Sequence, residues 1–206
     1  MRLGIFGGSF DPVHYGHLIL AEQCREQCGL DAVWFLPAAA PPHKRDAELT
    51  SGQTRVEMLE LALAGHSQMS VSEIELERGG TSFTIETLRA IHSEDPSREL
   101  CFLIGADSLH DLHTWREPEG IAELATIAAV NRGDAPLPDV AALSEALGKS
   151  VLERIEFVRM PGVELSATDI RERIATGRSV RFMLPRAVEA YIESHGLYGR
   201  ASHTNE

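Results

Sequence analysis

Arg2-Leu3-Gly4-Ile5-Phe6-Gly7-Gly8-Ser9-Phe10-Asp11-Pro12-Val13-His14-Tyr15-Gly16-His17 is the stretch from which the rest of the chain can be read. Arg2 to Phe6 is a short apolar run that stops at Gly7-Gly8, the pattern of a buried strand followed by a tight turn. Pro12 then opens a helix running from His14 to Cys28, with Leu18, Ala21 and Cys28 on part of a helical stripe and Gly29 in place to end it. In an open parallel sheet, ligands bind beyond the carboxyl ends of the strands, which is where this turn lies. Glycines let backbone amides approach an anion, and the unpaired N–H groups at the mouth of the following helix favour negative charge. His14 and His17 share one face of that helix, and Gly16 between them leaves room for a ligand or for backbone. Two imidazoles aimed at one point can donate hydrogen bonds to phosphoryl oxygens as charge builds on them, which phosphoryl transfer needs more than a covalent nucleophile. The plainer alternative is that the pair caps or packs the helix.

Outward from this turn, Ala32 to Leu36 reads as a second strand and Met69 to Val71 as a third. Ala38 to Thr50, with Pro41-Pro42 and the charges of Lys44, Arg45, Asp46 and Glu48, reads as a long mobile loop. Ser51 caps a helix from Gln53 to Ala64, and Gly79-Gly80 breaks the chain before a helix from Thr84 to His92. Leu100 to Ile104, stopping at Gly105, reads as a central strand whose end is open to a site. A helix around Glu117 to Leu124 leads to strands at Ala125 to Val130 and Arg154 to Val158. Helices at Ala167 to Ala175 and Pro185 to His195 follow. Strands separated by helices in this order imply βαβ units and a parallel sheet covered on both faces, hence an α/β fold. With no linker, repeat or low-complexity stretch, residues 1–199 read as a single domain and residues 200–206 as a loose tail.

Of 206 residues, 31 are acidic and 19 basic, for a formal net charge of −12. That excess repels polyanions and argues against nucleic acid or an anionic membrane as partner, so any phosphate site has to be local. Cys24, Cys28 and Cys101 are too few for a disulfide framework and suit buried thiols in a reducing cytosol. No stretch approaches the ~20 apolar residues of a membrane span, and a cytoplasmic location is expected. Gly4 to Ser9 does not fit the GxGxxG of nicotinamide-cofactor oxidoreductases. Gly148-Lys149-Ser150 imitates the end of a P-loop without its first glycine or its strand. His110 and His113 have no third ligand pattern beside them and stay unassigned as metal ligands.

Phe10-Asp11-Pro12 followed by His14-x-Gly16-His17 resembles the nucleotidyltransferase superfamily that shares an HxGH signature with class I aminoacyl-tRNA synthetases. The likeness extends through Pro41-Pro42-His43-Lys44, Thr81 to Leu88, Phe102 to Leu109, Trp115, Leu165 to Arg171 and the ending Tyr191-Ile192 to Tyr198. In that order these blocks resemble nicotinate-nucleotide adenylyltransferases over nearly the whole chain. The resemblance implies a Rossmann-like, doubly wound parallel sheet of the HUP-like nucleotidyltransferase type, in three α/β/α layers. It implies ATP bound by Gly7, Gly8, Ser9, Phe10, His14, His17, Gly105, Asp107, Ser166, Thr168, Ile170 and Arg171, with His14, His17, Lys44 and Arg171 catalytic. His43, Lys44, Thr84 and Trp115 are implied on the mononucleotide side, Trp115 stacking on the pyridine ring. Read from the residues alone, Ser166 and Thr168 also suit a helix N-terminus that receives an anion, and Asp107 suits a sugar hydroxyl; simple capping is the alternative for each.

The implied reaction joins nicotinate mononucleotide to ATP, giving nicotinate adenine dinucleotide and pyrophosphate. Its cofactor is Mg²⁺ carried on the triphosphate with most of its waters, which requires no all-protein metal cage. Two positions depart from the family pattern: relatives commonly carry an aromatic residue where this chain has Arg116, and asparagine where it has Ala38-Ala39-Ala40. Arg116 is therefore a candidate to pair with the nicotinate carboxylate, since guanidinium and carboxylate make forked hydrogen bonds. A nicotinamide-mononucleotide or phosphopantetheine adenylyltransferase shares the first motif, as does a cytidylyltransferase; a synthetase fragment is disfavoured by the acidic charge. A catalytically silent nucleotide-binding module is the non-enzyme alternative, and intact His14, His17 and Arg171 speak against it. The sequence leaves the oligomeric state open, a homo-oligomer included.

Overall fold

The computed structural model describes residues 1–40, 49–133 and 140–199. Its strands are β1 (Arg2–Gly8), β2 (Ala32–Pro37), β3 (Met69–Val71), β4 (Glu99–Gly105), β5 (Ala125–Arg132) and β6 (Ile155–Met160). They form a sheet in the order β3-β2-β1-β4-β5-β6, and every neighbouring pair is parallel. Parallel neighbours require crossover connections, and helices supply them. They are α1 (Tyr15–Gln27), α2 (Gly52–Leu63), α3 (Ile74–Arg78), α4 (Thr84–Glu94), α5 (Ala106–Leu109), α6 (Pro118–Leu124), α7 (Val140–Leu147), α8 (Lys149–Leu152), α9 (Ala167–Ala175) and α10 (Arg186–His195).

Alternation along each strand assigns the two faces. Leu3, Ile5, Leu100, Phe102, Ile104 and Ile127 are buried against Ile85 and Leu88 of α4, Ile121 of α6, Leu147 of α7 and Val151 of α8. Phe6, Cys101, Leu103, Val130 and Val158 face the other way, against Leu20 of α1, Met58 of α2, Ile170 of α9 and Val188 of α10. Central strands covered on both faces have to be apolar at every position, which explains the unbroken runs in β1, β4 and β5. The result is the expected Rossmann-like three-layer architecture. The chain winds outward from β1 to β3 and then returns to β4 to wind the other way. The crossovers therefore part at the carboxyl ends of β1 and β4, where a crevice opens.

Local signals hold at most boundaries. Ser51 caps α2 by accepting from the Thr54 N–H at 3.1 Å, and Gly29, with φ +60°, follows the end of α1. Pro12, however, does not open the helix: it sits in the turn after a cis Asp11–Pro12 peptide, and α1 begins at Tyr15 with His14 as its N-cap. Helices α3, α7 and α8 are not announced by the sequence pattern; at five, eight and four residues they are too short to show a stripe. Cys24, Cys28 and Cys101 are free and buried. Among the described residues, no helix is long and apolar enough to cross a membrane. The tail 200–206 lies outside the described residues.

Candidate active site

The turn between β1 and α1 is built on a buried ring. Phe10 has φ +48°, a left-handed conformation that costs a non-glycine residue roughly 1–3 kcal/mol. Its side chain, 1% exposed, meets Phe6, Phe35 and His17 at centroid distances of 5.4, 5.6 and 5.0 Å. Burying such a ring stabilises by about 1.5–3 kcal/mol, which offsets the strain. A Cβ on Gly8 would lie 2.9 Å from the Phe10 ring, whereas one on Gly7 would meet nothing within 4 Å. Gly8 thus makes room for the anchor, and Gly7 leaves the cleft open.

His14 and His17 stack at 3.7 Å between centroids with planes 22° apart. The His14 N–H donates to Nδ1 of His17 at 3.3 Å, so the proton of a neutral His17 ring resides on Nε2. His14 is 5% exposed. Burial, reinforced by the nearby charge of Arg132, lowers its pKa to about 4, so it is neutral at physiological pH. Its Nδ1 is buried with no hydrogen-bond partner among the described residues, an uncommon state for a polar atom. A Cβ on Gly16 would lie 3.0 Å from that Nδ1 and from Cε1 of the same ring. The space beside the Gly16 Cα therefore seats the His14 imidazole, while Gly16 itself also lines the cleft.

Across the turn lies the start of α9. Ser166 is its N-cap and accepts from the Asp169 N–H at 3.1 Å. Arg171 reaches back, donating from one guanidinium nitrogen to the carbonyl oxygen of Asp11 at 2.7 Å and from another to Thr168 Oγ1 at 3.4 Å. The two distant segments are thereby joined by a hydrogen bond. Ile170 does not belong with its neighbours: its side chain is fully buried in the core and its N–H bonds to the Ser166 carbonyl at 3.1 Å. Helical periodicity turns position 170 inward while positions 168 and 171 face the cleft.

These groups line a cleft of about 830 Å³ that also takes in Gly105 and Asp107 at the end of β4, and Thr84, Trp115 and Arg116 on the opposite face of the sheet. Trp115 stands edge-on to Phe102 at 5.9 Å. Thr84 is the first residue of α4, whose N-cap, Phe83, provides no side-chain cap. Arg116 is less free than the sequence suggests. It pairs with Glu86 at 2.6 Å and lies 4.8 Å over the Phe83 ring, so its charge already has a carboxylate partner. His43 and Lys44 lie outside the described residues. Among the described residues no three His, Cys, Asp or Glu side chains group as a metal cage.

Cleft residues that the sequence did not assign to the site include Arg132, Glu75 and Thr87. Arg132, at the end of β5, comes within 3.9 Å of the position a Gly105 Cβ would take. Glu75 and Thr87 are both buried, and the Thr87 hydroxyl donates to Glu75 Oε1 at 2.7 Å. A charged residue two positions beyond the expected apolar strand, Ala125 to Val130, was the available signal for Arg132. Nothing local marks Glu75, which sits in a short unannounced helix.

The cytidylyltransferase-like family profile matches residues 5–173. A protein of Thermus thermophilus named probable nicotinate-nucleotide adenylyltransferase is 46% identical over 198 residues, covering 96% of this chain and 100% of its own. One of Thermomicrobium roseum with the same name is 44% identical over 199 residues, covering 96% and 91%. The chain belongs to the nicotinate-nucleotide adenylyltransferase family. Among solved structures, nicotinic acid mononucleotide adenylyltransferase of Plasmodium falciparum, complexed with APC or with NaAD, superposes with a TM-score of 0.76 in each case. Each covers 96% of this chain, at 17% and 18% identity, and bears on the fold. As a member of this family the chain is a nucleotidyltransferase, and divalent-metal dependence is general to such enzymes. In this nicotinate-nucleotide adenylyltransferase family member, the HxGH turn and the start of α9 form one wall of the cleft and the Trp115 segment lines the opposite side.

Proposed function

We propose that this chain transfers AMP from ATP to nicotinate mononucleotide, forming nicotinate adenine dinucleotide and releasing pyrophosphate in NAD biosynthesis. The observation that carries the proposal is the meeting, at the β1/β4 crevice, of the stacked imidazoles, the Arg171 guanidinium and the Ser166/Thr168 helix mouth with an aromatic subsite at Trp115. The first group suits a triphosphate and the second a pyridine ring.

A phosphate oxygen of the mononucleotide attacks the α-phosphorus in line. A new P–O bond forms as the bond to the β-phosphate oxygen breaks, and that oxygen leaves on pyrophosphate. His17, its proton on Nε2, donates to phosphoryl oxygens whose charge grows in the transition state; neutral His14 stacks on it and holds its orientation. Arg171 and the amides of α9 hold the triphosphate, Asp107 accepts from a ribose hydroxyl, Thr84 offers its backbone N–H, and Lys44 and His43 serve the transferring phosphates. The cations and amides of the cleft suit the phosphate oxygens, and the acceptor oxygens of Asp107, Ser166 and Thr168 would receive hydrogen bonds from the waters of a Mg²⁺ carried by ATP. When bound, Mg²⁺ neutralises triphosphate charge. The reaction belongs in the cytoplasm, consistent with three free buried thiols.

Pyrophosphate release measured with ATP and a panel of mononucleotides tests this. Nicotinate mononucleotide is expected to give the highest kcat/KM. Preference for nicotinamide mononucleotide or phosphopantetheine would reassign the substrate, and ATP binding without turnover would leave a silent module.

A further inference from the structure

Beneath the HxGH turn, outside the cleft, the carboxylate of Asp11 is 1% exposed and collects donors from segments far apart in sequence. Its Oδ1 accepts from Thr50 Oγ1 at 2.6 Å and from the Tyr198 hydroxyl at 2.5 Å, and its Oδ2 accepts from the Thr50 N–H at 3.2 Å. Arg55, 2% exposed, donates to the carbonyl oxygens of Ser9 at 2.9 Å and Thr50 at 3.1 Å. Its buried charge faces the Asp11 carboxylate, with which it interacts electrostatically. The Asp11 carbonyl is the acceptor for Arg171. One residue thus holds the triphosphate-facing arginine through its backbone and is itself oriented through its side chain.

We propose that Tyr198, 187 residues downstream of Asp11, is a positioning residue for the phosphate turn, acting through its hydrogen bond to the Asp11 carboxylate. The chain end is shaped for this role. Gly196, with φ +60°, closes α10, and the Leu197 N–H returns to the Ile192 carbonyl at 3.1 Å, which turns the backbone so that Tyr198 reaches under the turn. Neither Tyr198 nor Asp11 lines the cleft, so the hydroxyl acts on ATP only by fixing the peptide that carries Arg171 and leads into His14. Burial and the bond to Asp11 both raise the Tyr198 pKa, keeping it a donor across the working pH range.

The inference rests on the reading of this cleft as an ATP site, and its test is read first by ATP binding, which does not require turnover. Tyr198→Phe keeps the ring and removes the hydroxyl. Since misplacing a reacting or binding group by about 1 Å costs up to ~10²-fold, the Kd and KM for ATP are expected to rise, and kcat to fall, on the order of 10-fold, with KM for the mononucleotide unchanged. Tyr191→Phe is the control. It removes an equivalent bond, to Glu57 at 2.5 Å, that ties α10 to α2 away from the turn, and it is expected to leave both constants unchanged. Asp11→Asn reads the pair from the other side, and in the double variant with Tyr198→Phe the losses are expected not to add. Unchanged ATP affinity in Tyr198→Phe overturns the inference, as do equal losses in the two tyrosine variants or additive losses in the double variant. Normal ATP affinity in the parent chain without pyrophosphate release would remove the proposed reaction while leaving this inference to stand or fall on the ATP Kd.

Discussion

Replacing Gly16 by alanine separates the stability of the first helix from the chemistry at its mouth. The added Cβ would lie 3.0 Å from Cε1 and Nδ1 of His14 and 3.6 Å from Cβ of Leu165. Carbon atoms rest about 3.5–4.0 Å apart, so the imidazole has to retreat by roughly 0.5 Å. It cannot do so freely, because it is 5% exposed and stacked at 3.7 Å on His17; the displacement passes to His17. Alanine in place of glycine favours a helix by about 1 kcal/mol, while overpacking costs about 1–3 kcal/mol, so net destabilisation is roughly 0–2 kcal/mol. With about 10²-fold at stake per ångström of misplacement, half an ångström is expected to lower kcat on the order of 10-fold. Urea unfolding and steady-state pyrophosphate release on the same preparation read the two effects. A Gly16→Ala enzyme that turns over within twofold of the parent would refute the idea that the glycine exists to seat His14.

His17→Ala is expected to lower kcat by on the order of 10² or more with the fold retained, as judged by far-ultraviolet circular dichroism, because it removes a donor to the transition state; near-normal turnover excludes His17 from the mechanism. For His14, the folded pKa of about 4 lies below the ordinary 6.5, so between these values the unfolded chain binds the extra proton. The stability associated with neutral His14 is then complete above about pH 6.5 and is lost as the pH falls toward 4, amounting to about 3 kcal/mol. Urea midpoints at pH 7.5 and 4.5 should therefore fall more steeply for the parent than for His14→Gln, and parallel losses would contradict this. Arg116→Gln should narrow the kcat/KM preference for nicotinate over nicotinamide mononucleotide; an unchanged ratio would mean that Glu86 alone uses the guanidinium.

Much of the frame is written locally. Apolar runs ending at Gly8 and Gly105, the Ser51 and Ser166 caps and the glycines after α1 and α10 announce a βαβ series. They also place His14, His17 and Ser166 at helix mouths and Arg171 about one turn inside α9, because periodicity and capping depend on residues a few positions apart. What the sequence could not decide is who meets whom across the fold. That Gly16 serves His14, that Phe10 is a buried anchor, that Ile170 faces the core, that Arg116 is held by Glu86 and that Arg132 overlooks Gly105 all follow from packing. The extreme case is Asp11, whose partners at positions 50 and 198, together with Arg55 and Arg171, are gathered only when the strands assemble in the order β3-β2-β1-β4-β5-β6. Contacts between such distant segments are set by the order and twist of the sheet, a collective property that no short stretch of chain contains.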